Sequence, residues 1–299
     1  MLYVVDDIDA SLFENPLFDG GRVGVALSEL AGEALEKLNA WSICANAIDR
    51  KTYHNLEASC TGFYRISLAP PRLFPGAHEY LNLTRSVARI GAAANGPFQL
   101  RERPGSQPID QQLVELANAL KSRRVSEAVI LDDSVGPGGM TVRYVCRELL
   151  SHGLAISEIA AGIGRAPYPH IEGVPVRIGV ELNVGDSWVN LRDLIWGFPG
   201  GGITFVDEGA VVGGIPYGLS RFIAAARVIG PELALNFCQA SADFSCAFWQ
   251  SKILASRRPI TLRDVPRLYF LEKHFGASCP LIEVIESVRT AGFRMFGRA

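Results

Sequence analysis

The chain has 299 residues, 48% of them hydrophobic and 20% charged, with a formal net charge of −2 at neutral pH. Such a composition excludes a disordered or fibrous chain and fits a globular one with a substantial core, in one large domain or two of ordinary size. Near-zero net charge gives no general pull toward nucleic acid or anionic membrane, so nucleic acid is not an expected partner and any polyanion site must be local.

The six cysteines, Cys44, Cys60, Cys146, Cys238, Cys246 and Cys279, show neither CxxC nor zinc-ligand spacing. They read as reduced, mostly buried thiols, which points to the cytoplasm. The opening "MLYVVDDIDASLF" lacks the basic flank and long apolar run of a signal peptide. No run approaches ~18 uninterrupted apolar residues, so no membrane span is expected.

In chain order, "LYVV" and "GRVGVAL" read as short strands, and "SELAGEALEKLNAW" as a helix that Ser28 is placed to cap. "TGFYRISL" is a strand closed off by Pro70-Pro71, and "GAHEYLNLTRSVARIGAAAN" reads as helical. "DQQLVELANALKSRR" predicts a helix with Leu113, Leu116, Ala117 and Leu120 on one side. "EAVILDD" follows as a strand, "MTVRYVCRELLSHG" as a helix stopped by Gly153, and "AISEIAAGI" as another strand.

That alternation predicts an α/β protein with a central, mainly parallel sheet flanked by helices. Beyond residue 185 glycines accumulate ("WGFPGGG", "VVGGIPYG"), followed by the helix candidates "SRFIAAARVIG", "LALNFCQASADFSCAFWQSKIL" and "PLIEVIESVRTAG". The expected division is therefore an α/β core over residues 1–200 and a glycine-rich, largely helical C-terminal part over 201–299, with the composition changing between 185 and 220.

Most of the chemistry lies in "EAVILDDSVGPGGMTVRYVCRELLSHG". Ligands of an open parallel sheet sit beyond the carboxyl ends of its strands, where Asp132 and Asp133 fall. Ser134, Val135, Gly136, Pro137, Gly138 and Gly139 come next, then a helix from about Met140 and Thr141. Bare glycine backbone and the unpaired amides of a helix start form an anion cradle suited to a phosphate. Carboxylates beside a phosphate need another partner, and sugar hydroxyls or a hard cation such as Mg²⁺ both fit.

Two acids after an apolar strand, four variable residues, Gly-Gly and a helix resemble the phosphoribosyl-pyrophosphate motif of type I phosphoribosyltransferases. The likeness is close from Glu127 to Ile163. It implies that Asp132 and Asp133 approach the ribose hydroxyls and that Ser134 to Thr141 wrap the 5-phosphate. It also implies that the partner is phosphoribosyl pyrophosphate with Mg²⁺, or a nucleotide. Where the family has threonine on each side of the glycine pair, this chain has Pro137 and Met140, with Ser134 and Thr141 as the nearby hydroxyls. "GRVGVALSELAGEAL", with Ser28 and Glu29, is a candidate pyrophosphate loop, and "SVARIGAAANG", with Arg85 or Arg89, a candidate mobile loop. The resemblance implies transfer of ribosyl phosphate to a nitrogen acceptor, or a divergent member that binds nucleotide without turnover.

A third reading starts from "YVVDDIDAS". Asp7 and Asp9 two apart, with Ser11, are similar to the nucleophile motif of haloacid-dehalogenase-like phosphatases, and "ILDDS" would then be the late Mg²⁺-holding acid motif. Arg192, Asp193, Trp196, Phe198 and Tyr217 among the later glycines are candidates for a base-stacking surface or for an aromatic-packed loop. The five histidines lack HxxxH or HExxH spacing, and no GxSxG elbow occurs. "KSRR" and "SRRP" read as solvated helix ends. Copy number is not legible from the residues, and a homodimer stays open.

Overall fold

The computed structural model describes residues 1–8, 20–60, 62–87, 99–103, 106–136, 138–165, 169–198, 201–207, 210–215, 231–250, 258–265 and 268–291. Along the chain run β1 (Leu2–Val5), α1 (Gly20–Ala40), β2 (Ala45–Ile48), α2 (Arg50–Ala58), β3 (Tyr64–Ser67) and β4 (Glu79–Tyr80). Then come β5 (Leu83–Val87), β6 (Gln99–Glu102), α3 (Ile109–Ser122), β7 (Glu127–Val135), α4 (Met140–Ser151) and β8 (Ala155–Arg165). β9 (His170–Ile171), β10 (Val174–Leu182), β11 (Ser187–Asn190), α5 (Leu191–Leu194), β12 (Ile203–Asp207) and β13 (Ala210–Ile215) follow. The described C-terminal helices are α6 (Pro231–Gln250), α7 (Tyr269–Phe275) and α8 (Leu281–Thr290).

Chain contacts divide the protein otherwise than at residue 200. One unit comprises Met1–Ile48, Arg85–Gln99 and Gly185–Ala299, the other Asp49–Thr84 and Leu100–Val184. The return into the first unit at Gly185 coincides with the start of the composition change. A four-stranded sheet of order β13-β12-β5-β6 includes the two strands within which the chain crosses between units.

The first unit holds a three-stranded parallel sheet, β11-β1-β2, with Leu2 opposite Ala45 and Ser187. "GRVGVAL", expected as a strand, lies inside the single 21-residue helix α1. The helical spacing of the following "LSELAGEALEKL" runs back through those residues, and extending an existing helix costs less than nucleating a new element. Ser28 is accordingly mid-helix rather than a cap. The core contains Leu38, Trp196, Phe237, Phe244, Phe248 and Ile285. Polar ties stitch its helices: Trp41 Nε1 donates to Asp243 Oδ2 at 2.8 Å, Arg289 Nη1 reaches Asp243 Oδ1 at 2.6 Å, and Asn236 Nδ2 donates to the Trp41 carbonyl at 2.9 Å.

The second unit is built on a sheet of order β4-β3-β7-β8-β10-β9, parallel except for β9. "HEYLNLTRSV", expected as helical, forms β4 and β5, which pair with β3 and β12. α3 and α4 cover one face. α3 buries Leu113, Leu116, Ala117 and Leu120, and α4 buries Val142, Val145, Cys146 and Leu149. They close on Ile66, Ala128, Ile130, Ile159 and Ala161, each buried isoleucine contributing about 1.5–3 kcal/mol. Strand alternation turns Val129, Leu131, Ala160 and Gly162 to the other face, where α2 packs on β8 and β10. Closeness there depends on missing side chains. A Cβ built on Gly162 would stand 1.8 Å from Cε1 of Tyr53, and one on Gly179 would stand 3.1 Å from Cγ2 of Thr52.

Gly162→Ala should therefore destabilise the fold by about 1–3 kcal/mol, the usual range for overpacking, read as a lower urea midpoint. Combining it with Tyr53→Ala should cost less than the sum of the two single changes. Additive costs would mean that the ring does not occupy this site.

Candidate functional site

The parallel strands of the second unit, counted in chain order, are arranged 2-1-3-4-5 across the sheet. Connections leave the first strand, β3, and the third, β7, in opposite directions, and the carboxyl-end side of such a switch point is the preferred place for a ligand in an open sheet. β3 ends with Ser67, whose register partner is Leu131, while β7 runs on through Asp132 and Asp133 to Val135.

Asp132 is buried, 6% exposed, and its Oδ1 accepts the Asp133 amide at 2.9 Å. Asp133 is half-buried, and its Oδ1 accepts the Ser134 hydroxyl at 3.0 Å. Alternation along β7 sends the two side chains to opposite faces. Of the pair, Asp133 is the more exposed and Asp132 is buried against its neighbour's amide.

Val135 is buried, and Gly136 accepts the Gly139 amide at 3.0 Å, closing the turn. Pro137 lies outside the described residues. Gly138 is exposed, with nothing within 4 Å of where a Cβ would stand. Gly139 caps α4 with φ +53°, a left-handed conformation that suits glycine, and offers no capping side chain. Met140, 41% exposed, and half-buried Thr141 begin the helix, whose first-turn amides have no acceptor within the helix.

The structure adds a cover to this turn. β9 and β10 form a hairpin through Glu172 (φ +54°) and Gly173 (φ +79°), positive at both positions as tight hairpin turns prefer. Ile171 from the hairpin occupies the space where a Gly139 Cβ would stand, 2.6 Å from its Cδ1. Glu172 holds the hairpin to α4 through Arg143 at 2.8 Å and Arg147 at 3.0 Å. Hydrogen bonding from Arg147, then the charges of Arg147 and Arg143, keep the Glu172 carboxyl below its ordinary value.

Sequence reading gave no role to the loop after β3, where the structure concentrates polar groups. The Leu68 amide donates to the Leu131 carbonyl at 2.8 Å, setting the loop beside the acidic tip. Ser67 Oγ and the Ala69 backbone bond each other at 3.0 and 3.2 Å. Nη1 of Arg72 is buried, and no described residue accepts its hydrogens. α2 holds both loops: Tyr53 Oη reaches the Asp133 carbonyl at 3.4 Å, and His54 Nε2 lies 3.2 Å from the Arg72 carbonyl. Phe74 packs edge-on to Tyr53 at 5.7 Å, and Tyr80 Oη donates to the Phe74 carbonyl at 2.6 Å. The sequence signal was an arginine directly after a Pro-Pro strand end, legible only once β3 and β7 were known to be neighbours.

Other candidates fall elsewhere. "GRVGVALSELAGEAL" is helix rather than loop. Arg85 lies on β5, and Arg89 lies outside the described residues. Asp7 is fully buried in the first unit, with Arg192 Nε at 2.9 Å and the Arg192 amide donating to its Oδ1 at 3.2 Å. β1 is flanked by β2 and β11, and β7 belongs to the other sheet, so "ILDDS" is no neighbouring strand of Asp7. Asp9, Ser11 and Tyr217 lie outside the described residues. Trp196 and Phe198 are core residues, with Trp196 Nε1 bonded to Ser241 Oγ at 3.0 Å and Phe198 edge-on to Phe248, and the Asp193 carboxylate accepts the Gly202 amide at 2.8 Å. They present no stacking surface for a base. All six cysteines are free, and burial pushes the Cys146, Cys238 and Cys246 thiols up to about 12.

No helix among the described residues is long and apolar enough to cross a membrane. Comparison with known proteins finds no matching family model, no similar curated protein and no similar solved structure.

Because the Glu172 carboxyl is lowered on folding, its stabilisation of the hairpin is complete above the ordinary value of 4.5 and fades as pH falls through the lowered one. Amide exchange at Ile171 and Val174, corrected for intrinsic rates, should speed up as pH is taken down from 4.5. Glu172→Gln should show faster exchange already at neutral pH, with no such pH dependence. Wild-type exchange that ignores pH would remove the ion pairs from the account of the hairpin.

Proposed function

We propose that the second unit binds a ribose 5-phosphate ligand, phosphoribosyl pyrophosphate with Mg²⁺ or a nucleotide, as the resemblance to type I phosphoribosyltransferases implies. The observation that carries the reading is one of placement. A half-buried carboxylate, a glycine turn leading into a helix start, and an arginine with an unmet buried donor all lie on the segments at the carboxyl-end side of adjacent strands β3 and β7.

On this reading Asp133 accepts hydrogen bonds from the ribose hydroxyls and Asp132 fixes the strand end that presents it. The amides of Gly138, Met140 and Thr141 hold the 5-phosphate, with the dipole of α4 in support. Arg72 gives its buried donor to the anionic leaving group or to a second phosphate. On this reading Mg²⁺ is carried mostly on the ligand's own oxygens and on water, with Asp132 and Asp133 the protein carboxylates that could reach it. In transfer, the bond from ribose C1 to the pyrophosphate oxygen breaks and a bond to an acceptor nitrogen forms. The protein contributes position and electrostatic support for the developing positive charge on the ring and the negative charge on the leaving group.

Binding without turnover is the second reading, and specific features favour it. Pro137 contributes no N–H, the Gly139 amide is spent on Gly136, and Ile171 covers Gly139. The phosphatase reading fares worse, since a nucleophile needs access to phosphorus and Asp7 is fully buried against Arg192.

Isothermal titration of the full chain with phosphoribosyl pyrophosphate and Mg²⁺ should give a binding isotherm. Asp133→Asn should abolish it, and Arg72→Ala should weaken it by about 10- to 100-fold, the worth of a charge-assisted hydrogen bond. Pyrophosphate release with a panel of nitrogenous bases then separates transfer from binding alone. No heat with phosphoribosyl pyrophosphate, ribose 5-phosphate or nucleoside monophosphates would end the proposal.

A further inference from the structure

β10 pairs with β8 along its inner edge from Val176 to Leu182, whereas on its outer edge only β9 pairs with it among the described residues, at Val174 and Pro175. The Val176 amide donates outward, to the Pro169 carbonyl at 2.9 Å. Backbone groups alternate in direction along a strand, so those of Ile178 and Val180 also point outward and those of Arg177, Gly179 and Glu181 point toward β8. Ile178 and Val180 are half-buried, and Gly179 and Glu181 are exposed. An exposed row of unpaired strand groups is a template for another strand.

The residues along this edge, Arg177-Ile178-Gly179-Val180-Glu181, complement themselves under a two-fold axis. Laid antiparallel about Gly179, Arg177 of one copy faces Glu181 of the other, and Ile178 faces Val180. The direction of the backbone groups agrees with that register. Ile178 and Val180, both pointing outward, become hydrogen-bonded partners. Arg177 and Glu181 become a non-hydrogen-bonded pair on one face, where Cα atoms approach to about 4.5 Å. Registers centred on Ile178 or on Val180 would leave both charges unmatched. Glu181 makes no ion pair or hydrogen bond among the described residues. Arg177 binds Glu158 at 2.7 and 2.8 Å and also reaches Ser59 and Cys60, which leaves one Nη1 hydrogen of its five for a second carboxylate. Gly179 puts no side chain on the axis, and β9 blocks pairing beyond Val176, which limits the contact to this short stretch.

We propose that a second copy of this chain docks on the outer edge of β10, antiparallel and centred on Gly179, joining the six-stranded sheets of the two copies. Sedimentation velocity on the full chain, from low to high micromolar concentration, should show a monomer–dimer equilibrium. Val180→Pro removes an outward donor without touching the ladder to β8, and should be monomeric where the wild type is dimeric. Glu181→Lys sets like charges opposite each other twice and should raise the dissociation constant about tenfold or more. Amides of Ile178 and Val180 should gain exchange protection as concentration rises. Thermal melts report whether each variant is folded, and if Val180→Pro is not, Glu181→Lys and the two amides decide. A wild type that stays monomeric overturns the proposal, as does a dimer that Glu181→Lys leaves unweakened or whose Ile178 and Val180 amides gain no protection.

Discussion

A tyrosine ring lying on a bare glycine holds the candidate site together. Tyr53 can press against β8 only because Gly162 has no Cβ, and from that position it organises both loops of the crevice. Its hydroxyl meets the Asp133 carbonyl, its ring supports Phe74, and its neighbour His54 meets the Arg72 carbonyl. Remove the close approach and the acidic tip of β7 and the arginine loop of β3 lose their common support. α2 is a nine-residue helix of mostly polar composition, too short to be stable alone. Its fixed position is a tertiary effect and passes directly into the geometry of the site.

The first unit is organised differently. Its three-stranded sheet ends in a buried ion pair, Asp7 with Arg192, of which neither charge has appreciable exposure. Such a pair contributes little net stability against an apolar replacement, yet removing one partner strands the other at a cost of about 3–5 kcal/mol. It therefore acts as a constraint: Arg192 must stay where β11 runs into α5, and Asp7 where β1 ends. The same residues that could be read as a phosphatase nucleophile and a ligand-facing arginine neutralise each other inside the protein. Trp196, with its ring nitrogen on Ser241 and its amide on Ser245, completes that anchorage against α6.

Much of the second unit was legible because its signals were local. α3 announced its buried face residue by residue, and the strand–turn–helix from Glu127 to Gly153 was recognisable from apolar run, breakers and periodicity. Failures came where a distant partner decides. "GRVGVAL" carries strand-like residues but is continued by a long helical pattern, and cooperativity overrode local preference. "HEYLNLTRSV" suits either period, and only pairing with β3 and β12 makes its parts strands. The placement of the Arg72 loop beside β7 depends on β3 and β7 being neighbours, a fact of topology that no window of sequence contains. The unequal exposure of Asp132 and Asp133 goes with strand alternation, which the adjacent letters "DD" conceal.

If the turn into α4 holds a phosphate as proposed, the remaining physical question is how firmly it does so with the donors that Pro137 and Gly139 leave it. Each amide withdrawn, by the proline ring at position 137 or by the internal bond at Gly139, removes one charge-assisted hydrogen bond and leaves the α4 dipole and the remaining first-turn amides to act. Ile171 works in the same direction, since it fills the approach that a left-handed glycine would otherwise leave open. Arg143 and Arg147, cations on the helix that starts at this turn, are already engaged by Glu172. On the proposed reading, the ligand would be gripped mainly through its sugar at Asp133 and through an anion at Arg72, with a lighter hold on the 5-phosphate. That distribution is adequate for recognition. It is poor for transfer, because a sugar that slides at its phosphate end loses the alignment on which displacement at C1 depends.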